Sequence, residues 1–171
     1  MNFLISLYTI EIDEVSTCTY VIDGDTFEIL SGNRIRLADI DAPEKDEWRY
    51  QEASIALSTL IHNKKVYLDI DDLNRADRYG RLVCLVYIDF NSTHYLNVNE
   101  ALLVAGYADV WDYQNEFNPR LWILFVEKLG TNDVLKLLLI SMGIGLGVII
   151  VLHFTISAIW RILPFKSRKN Y

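Results

Sequence analysis

Three short stretches gather residue types that do chemistry on charged substrates: Asp23-Gly24-Asp25-Thr26, Arg36-Leu37-Ala38-Asp39-Ile40-Asp41-Ala42-Pro43-Glu44 and Asp77-Arg78-Tyr79-Gly80-Arg81. Taken singly, each reads as ordinary turn and surface charge. Taken together they offer clustered carboxylates, which suit a hard cation bound through oxygen at about 2.3–2.6 Å. Without a cation, carboxylates so close repel, and one is pushed towards protonation. Arginines beside such a cluster suit a substrate that is itself an oxyanion, gripped by planar guanidinium groups. The acidic run after Asp69 and Asp71 is not a calcium loop of the EF-hand kind, because Asn74 stands where the glycine is needed and no glutamate closes it.

Such a cluster works only if elements bring its parts together. Thr17 to Leu30 is strand-rich and broken at Asp23-Gly24, and Ser31-Gly32-Asn33 turns it into a second strand from Arg34 to Ile40, ended by Pro43. As ends of antiparallel neighbours, the first two stretches converge. Ala53, Ala56, Leu57, Leu60 and Ile61 recur at helical spacing, predicting a helix over Glu47 to Asn63. Val66 to Ile70 and Leu82 to Ile88 read as strands around a polar loop, Asp71 to Gly80. Asn97 followed by Glu100 resembles a capping box, and Gly106 a helix stop. Pro119 is expected to open a last helix through Leu121, Leu124, Phe125 and Lys128. Five short strands with helices inserted and appended suggest an α+β fold built on a small Greek-key barrel of the OB type. Cys18 and Cys84 lie in apolar, strand-like runs and read as buried free thiols, with a disulfide as the alternative.

The three stretches, with Gln51-Glu52-Ala53-Ser54 and Val98-Asn99-Glu100-Ala101-Leu102, resemble the staphylococcal nuclease (thermonuclease) family from about Thr17 to Val110. The resemblance implies a five-stranded OB barrel with three helices and a metal-dependent endonuclease acting on DNA or RNA. By motif, Asp25 and Asp41 are expected as Ca²⁺ ligands, Ala42 as a ligand through its backbone carbonyl, and Glu44 at the metal as general base or water-orienting carboxylate. Arg36 and Arg81 are the expected catalytic arginines, with Arg78 and Tyr79 near the bound nucleotide. Trp111 and Tyr113 are candidates for base stacking, with a structural role as the alternative. The competing function is a catalytically silent OB module that binds nucleic acid or scaffolds.

This chain departs from the founding member in four respects. Ala42 replaces a threonine, which matters little if only the carbonyl is used. Asp39 adds a charge, expected to point away by strand alternation. Lys45 to Tyr50 is shorter than the family's long mobile loop. The domain is also acidic: all 23 acidic residues, but only 11 of the 16 basic ones, lie between Glu11 and Asp133. Bulk attraction to phosphate is therefore absent, so any contact with nucleic acid must be local.

The remaining charges are all basic. From Leu137 to Trp160 no Lys, Arg, Asp or Glu occurs. About 24 residues at ~1.5 Å rise span the ~30 Å hydrocarbon core of a bilayer. Trp160 and the flank Arg161, Lys166, Arg168 and Lys169 belong at an interface. The expected organisation is a leader over 1–16, a nuclease-like domain over 17–133, a transmembrane helix over 134–160 and a basic tail over 161–171. Gly143 and Gly147 have the spacing that lets two membrane helices pack closely, so a weak homodimer is a further expectation, although glycine is common in membrane helices anyway. Phe3 to Ile10 lacks the basic start and cleavage site of a signal peptide and reads as an extra strand or packed leader. Lys128 and Lys136 before the span are outnumbered by the basic residues after it. This favours a single-pass protein of the cell membrane with its domain extracytoplasmic, and the Asn91-Ser92-Thr93 sequon leans the same way. A tail-anchored protein with a cytoplasmic domain is the rival arrangement.

Overall fold

The structure, a computed structural model, describes residues 10–128. Residues 1–9 of the expected leader over 1–16, the expected membrane helix over 134–160, the Gly143/Gly147 pair and the basic tail lie outside the described residues, whereas Glu14 to Ser16 of that leader belong to the first strand. Among the described residues no helix is long and apolar enough to cross a membrane.

Strand β1 (Glu14–Val21) turns at Asp23-Gly24 into β2 (Thr26–Ile29), which pairs antiparallel with β3 (Arg34–Leu37) through the Ser31-Gly32-Asn33 hairpin. Gly32 sits at φ +84° there, a conformation open to glycine and strained for other residues. The next strand, β4 (Ile40–Asp41), leads past Pro43 to helix α1 (Tyr50–Ile61). Then follow β5 (Lys65–Ile70), β6 (Leu82–Asp89), β7 (His94–Asn97), helix α2 (Val98–Val104), β8 (Asp109–Val110) and β9 (Phe125–Glu127). Pairings β1–β2, β2–β3, β3–β6, β6–β5 and β5–β1 close a five-stranded barrel, and the β3–β6 pair is parallel. Closure removes the open edges that a small sheet otherwise exposes.

Alternation explains the barrel interior. In β5, Val66, Leu68 and Ile70 point inward while Lys65, Tyr67 and Asp69 point out. Strand β6 reads as an unbroken apolar run because both its faces are covered. Cys84, Val86 and Ile88 join the main core, and Leu85 and Tyr87 join a second cluster with Val126 on the outer face. The main core is completed by Ala53, Leu57 and Ile61 of α1, spaced at i, i+4 and i+8. Truncating fully buried Leu57 to alanine is expected to cost about 2–5 kcal/mol. Both cysteines are buried and free, and burial pushes the Cys18 thiol up to about 11.

Three expectations are corrected. The first helix begins at Tyr50, not Glu47, because Glu47 closes a turn back to Glu44: its carboxylate accepts the Glu44 N–H at 2.9 Å and its own N–H donates to the Glu44 carbonyl at 2.8 Å. The third helix is absent. Pro119 opens only a single 3₁₀ turn over Pro119–Leu121, capped by Asn118, after which Trp122 is extended and Phe125–Glu127 becomes an edge strand on β7. The described residues thus hold two α-helices, not three. The expected strand Arg34 to Ile40 is also broken at Ala38-Asp39. Asp39 takes φ +53°, so alternation does not apply to it.

Candidate active site

The first two acidic stretches meet because β2 and β3 pair with Thr26 opposite Arg36. Asp25 stands at the start of β2, and only 7% of it is exposed. Its Oδ1 accepts from the Thr26 hydroxyl at 2.9 Å, and its Oδ2 accepts from the Ala42 backbone N–H at 2.9 Å. That second bond ties the β4 end to the β1–β2 turn across 17 residues. The Arg36 guanidinium bridges two carboxylates, reaching Asp25 Oδ2 at 2.9 Å and Asp41 Oδ1 at 3.1 Å. Burial pushes the Asp25 carboxyl up to about 6 even with Arg36 beside it pulling the other way.

The third stretch arrives through a tight turn. Gly80 takes φ +76°, and Asp77 Oδ1 accepts the N–H groups of Tyr79 and Arg81 at 2.9 and 3.0 Å. The Arg81 side chain folds back so that Nε and Nη2 both lie 2.7 Å from Asp77 Oδ2. Burial alone would raise the Asp77 carboxyl, but the bonds from Arg81 and Tyr79 hold it below its ordinary range. Nη1 of Arg81 then donates to the Thr26 hydroxyl at 3.2 Å. A continuous polar chain therefore runs from Asp77 through Arg81, Thr26, Asp25 and Arg36 to Asp41. The Tyr79 ring lies 4.7 Å from the Arg78 guanidinium and 5.2 Å from that of Arg81.

One cleft of about 270 Å³ collects these groups: Asp25, Arg36, Asp41, Ala42, Glu44, Arg78, Tyr79 and Arg81, with Asp23, Pro43 and Trp111 on its walls. Glu44 is exposed and, among the described residues, in no ion pair. Of the two aromatic candidates after α2, Trp111 lines the cleft and Tyr113 does not. Burial raises the Tyr113 phenol, with Arg36 of the cleft pulling the other way.

The oxygen-only donors suit a hard cation, and the shared guanidinium shows that one positive centre reaches both Asp25 and Asp41. Among the described residues no three Asp, Glu, His or Cys side chains gather closely enough to hold a metal by themselves. Any cation there must complete its shell with backbone carbonyls, water or substrate oxygens.

Two supports were not read from the sequence as such. Asn99, fully buried, accepts from Val86 N–H at 3.1 Å and donates to the carbonyls of Ala38 and Cys84 at 3.0 and 3.2 Å. It pins α2 to β6 and to the bend that delivers Asp41. An asparagine two residues after a helix cap, on the apolar side of the helix, was the signal. Asp39 is also fully buried, accepting from the Asn115 amide, and lies outside the cleft. The expectation that it points away holds, but the left-handed bend is the cause.

An OB-type barrel with an acidic, arginine-bridged cleft at one rim defines the class. The family model described as "Staphylococcal nuclease homologue" matches residues 34–125, and the chain belongs to that family. Asp25 lies upstream of the matched stretch and enters the cleft through the β2–β3 register. The chain is similar to Protein ParB of Escherichia coli, with 36% identity over 55% of this chain and 54% of that protein. It is similar to Micrococcal nuclease of Shigella flexneri, with 33% identity over 58% of each. It is likewise similar to Endonuclease YncB of Bacillus subtilis, with 32% identity over 55% of this chain and 46% of that protein. The chain thus spans roughly half the length of these curated relatives.

Proposed function

We propose that this protein is a metal-dependent nuclease that hydrolyses phosphodiester bonds of DNA or RNA, with Ca²⁺ as its metal. The observation that carries the reading is the single cleft joining Asp25, Arg36, Asp41, Glu44 and Arg81, drawn from turns as far apart as the starts of β2 and β6. The family and the nuclease names of two of those relatives support it.

Arg36 and Arg81 grip the non-bridging oxygens of the phosphate, exchanging the carboxylates that now hold them for the substrate's own charge. A divalent ion on Asp25, Asp41 and the Ala42 carbonyl would supply further neutralisation of charge growing at phosphorus. Glu44, in no ion pair among the described residues, takes or steers the proton of the attacking water, a role typically worth about 10²–10⁴ in rate. Arg81 or Arg36 donates towards the departing oxygen. Arg78 and Tyr79 hold the nucleotide at the cleft edge, and Trp111 on the cleft wall offers a stacking face, which Tyr113, outside the lining, does not.

The apolar run from Leu137 to Trp160 and its basic flank support a single-pass membrane anchor over 134–160, with the domain on the extracytoplasmic side. Protease accessibility in intact cells tests that arrangement: a domain protected until the cells are broken would reverse it.

The second reading is a silent nucleic-acid-binding module. It is favoured by one observation, that Arg36 already bridges Asp25 and Asp41, two of the acidic metal candidates. Incubating the full chain in detergent with single-stranded DNA or RNA, with Ca²⁺ or with chelator, separates the two. Cleavage that requires Ca²⁺ and falls at least about 100-fold on Glu44→Gln is expected. Binding without cleavage, or cleavage indifferent to Glu44→Gln, would sink the enzymatic reading.

A further inference from the structure

We propose that Trp48, braced by Arg49 and Tyr107, is a stacking platform for a base of single-stranded nucleic acid, outside the cleft and beyond the nucleotide held there. The inference rests on the nuclease reading of the cleft and extends it to substrate class.

Trp48 is 84% exposed, more than any other large hydrophobic side chain among the described residues. A lone exposed apolar residue means little by itself. Here the neighbouring backbone is strained to place it. Arg49 takes φ +70° with no side-chain cap on α1, a left-handed conformation that an L-residue rarely adopts. What that strain secures is visible. The Arg49 Nη1 donates to the Gly106 carbonyl at 2.7 Å, and its guanidinium lies 5.1 Å from the Tyr107 ring and 5.5 Å from the Trp48 ring. The indole is thus backed by a cation whose own position is fixed by the end of α2.

This platform is continuous with the cleft along two paths. Glu44, four residues before Trp48, lines the cleft, and the Glu47 carboxylate holds the Glu44 N–H. On the other side, Asp109 pairs directly with Asp41, and Trp111 stands on the cleft wall. Asp109 is exposed, as Trp111 is, while Tyr107 is half-buried, packed on the main core beneath the Arg49 guanidinium. Trp111 on the cleft wall comes only four residues after Tyr107 beneath Arg49.

Charge decides which part of a polynucleotide would sit there. Along these two segments Glu44, Asp46, Glu47 and Asp109 are exposed, against exposed Lys45 and half-buried Arg49. A phosphate backbone is repelled by that surface, whereas a base face is indifferent to it. Only an unpaired base offers such a face, since a duplex keeps its bases stacked on one another. The platform therefore selects single strands.

The test uses the full chain in detergent with Ca²⁺ and labelled oligonucleotides. Trp48→Ala is expected to raise KM about 5- to 100-fold for long single strands, leaving kcat and the salt dependence of KM unchanged. The effect should vanish on a dinucleotide, and Trp48→Phe should restore most of the loss. An equal rise in KM on the dinucleotide would overturn the platform, as would an unchanged KM on the long strand. Fluorescence anisotropy of the same strand with the Glu44→Gln chain reads the platform apart from the chemistry. Affinity lost there on Trp48→Ala supports it even if the chain never cleaves, and affinity kept, or lost equally for a duplex of the same length, ends it.

Discussion

The two acidic regions of the barrel differ in what faces their carboxylates. At the rim, Asp25, Asp41 and Asp77 each meet a guanidinium within 3.1 Å. On the outer face of β5 and β6, a cleft of about 230 Å³ sets Asp69 and Glu116 among Tyr87, Phe117 and Trp122. Neither carboxylate is in an ion pair among the described residues. Burial, with Glu116, Asp13, Glu11 and Asp72 adding to it, pushes Asp69 up to about 7. Acidity alone therefore says little about function. At the rim the negative charge is held by arginines that a phosphate can recruit, whereas on the outer face it is only a burden on the fold.

The largest expected effect separates these regions by chemistry. Arg81→Ala should lower cleavage about 10²–10³-fold in a steady-state assay while Tm falls less than on a core truncation, because the Arg81–Asp77 pair still reaches solvent, at 24% and 20% side-chain exposure. A Tm loss as large as that of a core truncation would show Arg81 to be structural. Next comes Gly24→Ala. A Cβ there meets Ala42 Cβ at 2.6 Å and Ala53 Cβ at 2.8 Å, so the β1–β2 turn must move away from α1. A stability loss of about 1–3 kcal/mol in denaturant melts is expected, together with reduced activity from a displaced Asp25. The smallest effect is on the other face. The Asp69 pKa is raised above its unfolded value, so its ionisation erodes stability as pH climbs from about 4 through 7. Asp69→Asn should stabilise by about 1 kcal/mol at pH 8, after allowance for solvent screening, with the gain fading below about pH 4. Equal gains at both pH values would remove the charge explanation.

Residues at turns and in periodic strands were readable because local rules govern them. Gly32 marked the hairpin, Asn97 the α2 cap and Gly106 its end, and the cap accepts the Glu100 N–H at 3.1 Å as expected. Only half the capping box formed, since the Asn97 N–H goes instead to Leu124 O. Long-range pairing was what escaped. Nothing local distinguishes Phe125–Glu127 as a strand until β7 supplies its partner, and Pro119 favours a helix start equally well. The cleft residues were legible as types and spacing, but the Arg36 bridge and the tie from Asp25 to Ala42 needed the β2–β3 register. Asp39 failed the alternation argument because a buried bond to Asn115 accompanies its bend.

The last described strand fixes where the rest of the chain departs. Lys128 donates its N–H to Thr93 O at 2.8 Å, and its ammonium reaches Asp89 and the Asn91 carbonyl at the β6–β7 tip. Any pull on the polypeptide beyond that point is taken first by a three-residue edge ladder and one lysine clamp. That ladder belongs to β7 and not to the closed five strands, so strain entering at Lys128 reaches the barrel at the β6–β7 tip rather than at the rim that holds the cleft.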